Sequence, residues 1–437
     1  MHGNDMLESI LNRLNNLTIH EVRQVAREVK AHVTSGQKGQ IIEAVLSIAK
    51  AEVEPAPATN RGAPPKSDKY DEQLVSDIFA CREFFTAQKS GGNVHNKTAV
   101  YDSAYEALLN SDKEYCGYLD KQEDVYYLYG KERVYVSEVL VERHSLRLGD
   151  KICGKGRKKH PADVAGLYEV TSVNGLSTDE AKGRKDFSSL TRIYPEKRVK
   201  TYDGTDISLK IIDMFSPVAL GQRAFISAPA NCGKTSLLKL IAHGICANYE
   251  GLAVIILLVG ARPEEITDFK NSGVKSELFY TTFDMSDESH LSCATVAFNY
   301  AQRLAELNKN VIILADGLYD SLPYEELKKL LFFALSAEEG ASLTTIATLP
   351  EDATALLKTA NMTVTLSPVL ASERVFPAID ILKCFSAREE VLLTAEEKEA
   401  SLKIRSALAG GYPLNQLIKL IKQTDNVYKV AELINNG

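Results

Sequence analysis

Apolar positions fall into three patterns along the chain. In residues 1–50 they recur at three and four: Leu7, Ile10, Leu11 and Leu14, then Val22, Val25, Ala26 and Val29, then Ile41, Ile42, Val45, Leu46 and Ile48. That spacing lays one apolar stripe on each of three helices. Thr18 and Glu21 stand at capping-box spacing for the second helix. A helical module of this size serves either as a docking bundle or as an auxiliary nucleic-acid surface, and the pattern does not choose between them. Residues 51–69 (AEVEPAPATNRGAPPKSDK) are rich in Pro and Ala and read as a linker. Residues 70–114 read as helical and irregular.

From Tyr115 to about Tyr194 the pattern shortens to strands and turns: YCGYLD, DVYYLYG, RVYVSEVLV, LRLGDKICGKG, GLYEVTSVNG. This predicts a small β-barrel over 115–195. Tyr115, Tyr118, Tyr126, Tyr127, Tyr129, Tyr135 and Tyr168 crowd the stretch, with Lys155, Arg157, Lys158, Lys159, Lys182, Arg184 and Lys185 nearby. Aromatics on alternate strand positions offer stacking faces to unpaired bases, each worth about 1–3 kcal/mol, and a basic rim holds the backbone. The same tyrosines equally suit the half-buried core of a plain β-domain.

The third pattern is uninterrupted. VIILLVG (254–260) and VIILADG (311–317) are continuous apolar runs, as in parallel strands buried on both faces, and helices over 267–272 and 287–308 supply the crossovers. An α/β core is therefore expected over 196–393. Residues 394–437 return to helical spacing (Ile404, Leu408; Leu414, Leu417, Ile418, Ile421; Val430, Leu433) and pack on that core.

Within the core, AFISAPANCGKTSLLKL (224–240) carries the chemistry. It reads as strand, tight loop and helix, and meets the phosphate-loop pattern with Ala228 at the first Gly position. Unpaired N–H groups at a helix start, together with the helix dipole, attract anionic phosphate. Ala230, Asn231, Cys232, Gly233, Lys234, Thr235 and Ser236 are the expected ATP-binding residues. Lys234 provides a cation for the terminal phosphates, and Thr235 and Asp316, the latter closing the second apolar run, are the expected Mg²⁺ ligands.

Composition narrows the rest. At 437 residues, with 45% hydrophobic and 25% charged residues, the chain suits several soluble domains. No apolar run approaches the roughly 18 residues of a membrane span, and no secretory leader is seen, so a cytoplasmic setting without membrane contact is expected. The net charge of −7 argues against bulk attraction to nucleic acid but not against a local basic surface. The seven cysteines are scattered and form no C-x-x-C pair, so neither a zinc site nor a disulfide framework is expected.

In sequence order, SPVALGQRAFISAPANCGKTSLL, LLVGARPEEITDF, TTFD (281–284), VIILADG, EEGASLTTIAT (338–348) and ERVFPAID (373–380) resemble the motor half of bacterial transcription termination factor Rho. YCGYLD resembles that family's RNA-binding motif, SLTRIYP (189–195) its link to the motor, and the N-terminal helices its helical cap. The resemblance implies a RecA-like core behind an OB-like barrel, a ring hexamer, single-stranded RNA on the barrel, ATP with Mg²⁺ between subunits, and RNA polymerase as a candidate partner. It places Arg262, Arg374 and Phe376 in the ATP site, Phe376 as the adenine-stacking residue. It places Tyr115, Cys116 and Tyr118 on RNA, and the basic cluster beside the tyrosines adds Lys155, Arg157 and Lys158 as expected contacts.

The chain departs from that family where catalysis is concerned. Ala261 stands at the position of the water-positioning carboxylate, with Gly260 at the acidic position before it. Asn231 replaces a lysine of the phosphate loop. The arginine finger falls on Ala387, with Arg388 next in line. Cys116 sits at an aromatic position of the RNA motif and Asp120 at a basic one. Both loops that grip RNA in the ring's hole are missing or short. The resemblance then implies a protein that binds ATP and RNA but hydrolyses slowly. The alternatives are a working RNA-dependent ATPase using Glu264, Glu265 and Arg388 as substitutes, and a non-catalytic member of mixed rings with an authentic Rho.

Overall fold

The computed structural model describes residues 2–29, 31, 37–50, 74–75, 77–82, 113–158, 164–424 and 426–435. The expected linker at 51–69, most of the segment 70–114, and Lys159 lie outside the described residues. The chain divides into two compact units, Met1–Asn110 and Ser111–Gly437.

The first unit holds the three expected helices, His2–Asn16, Ile19–Glu28 and Lys38–Ala49. Their stripes meet at Ile10, Leu14, Val22, Val25, Ile41 and Val45, joined by Leu74, Ile78 and Cys81. The capping box forms: the Glu21 N–H donates to Thr18 Oγ1 at 3.4 Å, and the Thr18 N–H to Glu21 Oε2 at 2.7 Å. These bonds satisfy donors that the first helical turn leaves orphaned.

The second unit opens with a closed barrel of β1 (Lys113–Gln122), β2 (Val125–Tyr129), β3 (Val134–Val136), β4 (Lys151–Arg157) and β5 (Ala165–Val173), in the order β1-β2-β3-β5-β4. Alternation sends Tyr115, Leu119, Leu128, Val134, Val136, Ile152 and Leu167 inward to a single core. Closure leaves no long edge strand open to aggregation.

The expectation of no disulfide is corrected here. Cys116 and Cys153 are bonded, 37 residues apart in sequence but directly opposite each other in the β1–β4 ladder. Linear spacing reveals only local pairs, and this one is made by barrel closure.

Short strands follow: β6 (Arg192–Ile193), and β7 (Arg198–Val199) paired with β8 (Val218–Ala219). The core sheet is built from β9 (Arg223–Ser227), β10 (Ala253–Ala261), β11 (Glu277–Thr282), β12 (Asn310–Asp316), β13 (Leu335–Ala337), β14 (Ser342–Leu349), β15 (Met362–Thr365) and β16 (Phe385–Ser386). Its order is β11-β10-β12-β14-β9-β15-β16, parallel from β11 to β15. The helix Lys234–Asn248 covers one face and Asp287–Glu306 the other, so the strands are buried on both sides. This is the RecA-like α/β core. The helix expected at 267–272 runs instead over Pro263–Lys270, because Pro263 takes the first helical position, where its missing N–H costs nothing.

Barrel and core are joined by buried charge. The Glu306 side chain has no solvent exposure and lies 2.8 Å from Arg147, 3.3 Å from Arg184 and 3.1 Å from Arg303. It also accepts the Phe187 N–H at 3.0 Å. Arg184 reaches the buried Asp150 at 2.6 Å, which in turn accepts from Asn174 at 2.7 Å. Arg184, expected on a basic rim, is therefore part of the seam. Replacing Glu306 with Gln keeps the shape but takes the shared carboxylate from three guanidiniums, of which Arg184 retains Asp150, and should remove about 3–5 kcal/mol of unfolding free energy in a urea titration. A loss below about 1 kcal/mol contradicts this role for the carboxylate.

Candidate functional site

The phosphate loop leaves β9 at Ser227 and enters the helix Lys234–Asn248 through Gly233, whose φ of 90° lies in the left-handed region. Ala230, Asn231, Gly233 and Ser236 are exposed there, and Cys232 is buried beneath them. Lys234 Nζ donates to the carbonyls of Ala228 at 2.7 Å and Pro229 at 2.9 Å, which holds the ammonium inside the loop. Sheet order brings the other parts in. β14 lies between β9 and β12, so the C-terminal ends of all three strands meet beside the loop. There the Asp316 carboxylate accepts from the hydroxyls of Thr235 and Thr348, and from the Gly317 N–H at 3.0 Å.

Thr348 was not among the expected site residues. Its only signal in the sequence is a hydroxyl near the end of a strand, SLTTIATL (342–349), that holds three others. A hydroxyl and a carboxylate oxygen in contact are the donors a small hard cation takes. The Thr235–Asp316 pair therefore fits Mg²⁺, and Thr348 steadies the carboxylate.

The segment carrying Arg374 and Phe376 starts beside the same loop, where the Leu366 N–H donates to Ser227 O at 2.9 Å. Phe376 is 55% exposed, free of the core and open to a flat ligand. Arg374 is exposed at a φ of 59°.

At the end of β10 a cleft of about 620 Å³ is lined by Gly260, Arg262, Pro263, Glu264 and Phe283. Gly260 has a φ of 63°, and a Cβ there would lie 2.7 Å from Ser321 Oγ. Its N–H donates to Thr281 Oγ1 at 3.1 Å, and buried His290 Nδ1 sits 2.8 Å from the same hydroxyl. The backbone is thus held in a conformation that disfavours any side chain. Ala261 is half-buried against the core. Glu265 Oε2 accepts the Arg262 N–H at 3.2 Å and caps the helix Pro263–Lys270, whereas Glu264 is exposed on the cleft wall.

Ala387 and Arg388 lie at the far end of the sheet. The Ala387 N–H donates to Asn361 O at 2.6 Å, just before β15, whereas the phosphate loop is at the opposite end of that strand. Arg388 is held by Glu196 at 3.5 Å and Glu390 at 3.8 Å, and covers the Tyr194 ring at 4.9 Å. Within one chain it does not join the nucleotide residues.

On the barrel, the expected RNA contacts Tyr115 and Tyr118 are both engaged within the protein. Tyr115 points into the barrel core and is 7% exposed. Tyr118 faces outward but packs on the α/β core: its ring centroid is 4.6 Å from Phe279 and 4.8 Å from Tyr300, and its hydroxyl donates to Glu277 at 2.9 Å. Burial, with the Glu277 carboxylate beside it, pushes its phenol pKa up. Lys151 also pairs with Glu277, and Ser292 donates to Asp120 at 3.0 Å. Cys116 is exposed but spent in the disulfide.

A different row runs around the outside. Register neighbours take it from Tyr127 to Tyr135, Gly166 and Arg157. Tyr127 and Tyr135 meet edge-to-face at 6.2 Å, and Arg133 lies 3.9 Å over Tyr127. Arg157 sits 5.1 Å over Tyr168, and Lys155 pairs with Glu169 at 3.1 Å. Lys158 is half-buried just past β4. Among the described residues this is where exposed tyrosines and arginines coincide on the barrel.

Comparison with known proteins agrees with both halves. Residues 107–179 match the Rho termination factor RNA-binding domain, and residues 208–323 the nucleotide-binding domain of the ATP synthase alpha/beta family. Transcription termination factor Rho of Borreliella burgdorferi is 33% identical over 75% of this chain and 72% of its own length. Rho of Bacillus subtilis is 33% identical over 70% of this chain and 79% of its own. Rho of Mycobacterium bovis is 32% identical over 69% of this chain and 57% of its own. With about a third of the aligned positions identical across most of the length of those relatives, and a nucleotide-binding core behind an RNA-binding barrel, the chain belongs to the transcription termination factor Rho family.

Proposed function

We propose that the protein binds single-stranded RNA on its barrel and ATP with Mg²⁺ in its core, turns ATP over slowly, and acts in transcription termination or its control. Family membership supports the RNA and termination parts. The end of β10 carries the slow-turnover part, because Gly260 and Ala261 offer no carboxylate there to aim a water.

Each residue then has a role. Lys234 exchanges its loop carbonyls for the terminal phosphates. Thr235 and Asp316 hold Mg²⁺, and Phe376 stacks on the base. Bound Mg²⁺ would neutralise phosphate charge. What is missing is hydrolytic. An arginine finger is worth about 10³–10⁵ in rate and a well-placed base about 10²–10⁴.

The grip on RNA at a ring's centre is reduced as well. Between β14 and β15 the chain makes only the short helix Thr354–Leu357, and Arg223 ties down the return, its Nε donating to Thr359 O at 2.8 Å. In a ring of six copies, or a mixed ring with an active Rho, such a subunit would hold nucleotide and RNA without driving translocation.

A working ATPase is the second reading, and exposed Glu264 on the cleft wall is the residue that favours it. Phosphate release with ATP, Mg²⁺ and cytidine-rich single-stranded RNA separates the two. We expect turnover below about 10⁻² s⁻¹, and a rate near the common enzyme value of about 10 s⁻¹ refutes slow turnover. If that higher rate appears and Glu264→Gln abolishes it, the second reading stands. Nucleotide binding itself should survive, and Lys234→Ala should weaken it at least about tenfold through loss of a charge-assisted contact.

On the barrel, RNA is read by Tyr127, Tyr135, Arg133 and Arg157, not by Tyr118. Tyr135→Ala should cost about 1–3 kcal/mol of RNA affinity in a filter-binding titration. Tyr118→Ala should instead lower the unfolding midpoint. Equal RNA affinity for Tyr135→Ala and the parent chain removes this face from the account.

A further inference from the structure

The disulfide across β1 and β4 has no part in the roles assigned so far. Its two cysteines are direct register partners with Cα atoms 4.2 Å apart, Cys116 exposed and Cys153 half-buried. On the same outer face, Lys155 stands opposite Glu114 on one side of the bond, and Lys151 opposite Tyr118 on the other. The bond therefore lies on β4 between Lys151, at the seam with the core, and Lys155 and Arg157 further along the same strand.

β4 is the irregular strand of the barrel. Against β5 its register shifts twice, between Cys153 and Gly154 and between Lys155 and Gly156. Bulges and glycines loosen a strand on that side. On the β1 side the ladder is regular from Lys113 to Tyr118, and the disulfide is the covalent part of it.

The remaining cysteines behave differently. Cys81, Cys232, Cys293 and Cys384 are buried and Cys246 half-buried, all unpaired. Burial pushes the thiols of Cys81, Cys293 and Cys384 up to about 11, which leaves almost no thiolate to react. Cys116 is the one exposed cysteine among the described residues, and through it the pair is open to thiol chemistry. Wherever thiols are kept reduced, a bond of this kind is a transient, sensing one.

We propose that Cys116 and Cys153 form a reversible thiol–disulfide site that sets how tightly the barrel holds single-stranded RNA. The proposal rests on the RNA-binding reading given above. A small dithiol reduces the bond through a mixed disulfide: the reductant loses two electrons and two protons and closes its own disulfide, and Cys116 and Cys153 become two thiols. Glutathione disulfide reverses the step and leaves as two glutathione thiols. In the oxidised form β4 is pinned to β1, and Lys155 and Arg157 are pre-organised. In the reduced form the bulged strand is free to shift, and ordering it on RNA costs affinity.

The test uses the full chain, oxidised with glutathione disulfide or reduced with dithiothreitol and held in that state. Native maleimide labelling with peptide mapping should find Cys116 and Cys153 reactive only after reduction. Reduction should lower the melting temperature by about 5–10 °C. A fluorescent oligocytidine titrated at fixed salt should bind the oxidised chain about 3- to 10-fold more tightly. The double variant Cys116→Ser/Cys153→Ser should bind like the reduced chain under both conditions.

Maleimide labelling of both cysteines in the oxidised sample overturns the proposal, as does equal RNA affinity in the two states. Absence of RNA binding in either state overturns the RNA reading and the coupling with it. The labelling and melting data distinguish that failure from absence of the bond.

Discussion

The side chain of Glu306 is fully buried and ringed by Arg147, Arg184 and Arg303. A carboxylate taken out of water holds its place only while its partners do, and here the partners come from both parts of the second unit. Arg147 and Arg184 belong to the barrel side, and Arg303 shares the core helix with Glu306 itself. The barrel is thereby fixed in one pose on the motor. That pose buries Tyr118 against Phe279 and Tyr300, so the barrel wall turned toward the core is closed. The wall with Tyr127 and Tyr135 is left for other work. One electrostatic constraint thus decides which tyrosines of the barrel can meet a ligand.

The nucleotide half depends on a second constraint, sheet order. Placing β14 between β9 and β12 gathers the phosphate loop, Thr348 and Asp316 at one strand end. Residues that hold a phosphate and a hard cation are all present there. At the neighbouring end of β10, left-handed Gly260 and half-buried Ala261 present no carboxylate. The phosphate loop and the carboxylate-free end of β10 therefore lie at nearby strand ends of the same sheet. The binding and hydrolytic functions of such a site separate cleanly, because the first needs amides, a lysine and a metal, and the second needs a base and a guanidinium from a neighbour.

Much of this was legible in the sequence, for physical reasons. Continuous apolar runs at 254–260 and 311–317 can only be doubly covered strands, and the loop between Ala228 and Thr235 has few other uses. Thr18 with Glu21 gave the helix start, because capping is local. What was not legible depended on closure in three dimensions. Cys116 and Cys153 meet only once the barrel is shut. Arg184 reads as a rim cation until Glu306 is seen beside it. Tyr115 and Tyr118 read as stacking faces, yet β1 turns the first inward and presses the second on the core. Thr348 is one of four hydroxyl residues in its strand, so nothing marks it out until Asp316 is placed.

The central claim is a pocket that keeps its triphosphate. The most direct measurement is the identity of the nucleotide recovered after the protein is loaded with radiolabelled ATP, Mg²⁺ and single-stranded RNA, cleared of excess ligand, held for several minutes and quenched in acid. The account predicts that the bound label is recovered almost entirely as ATP. Recovery mainly as ADP, at a pace set by RNA, contradicts it.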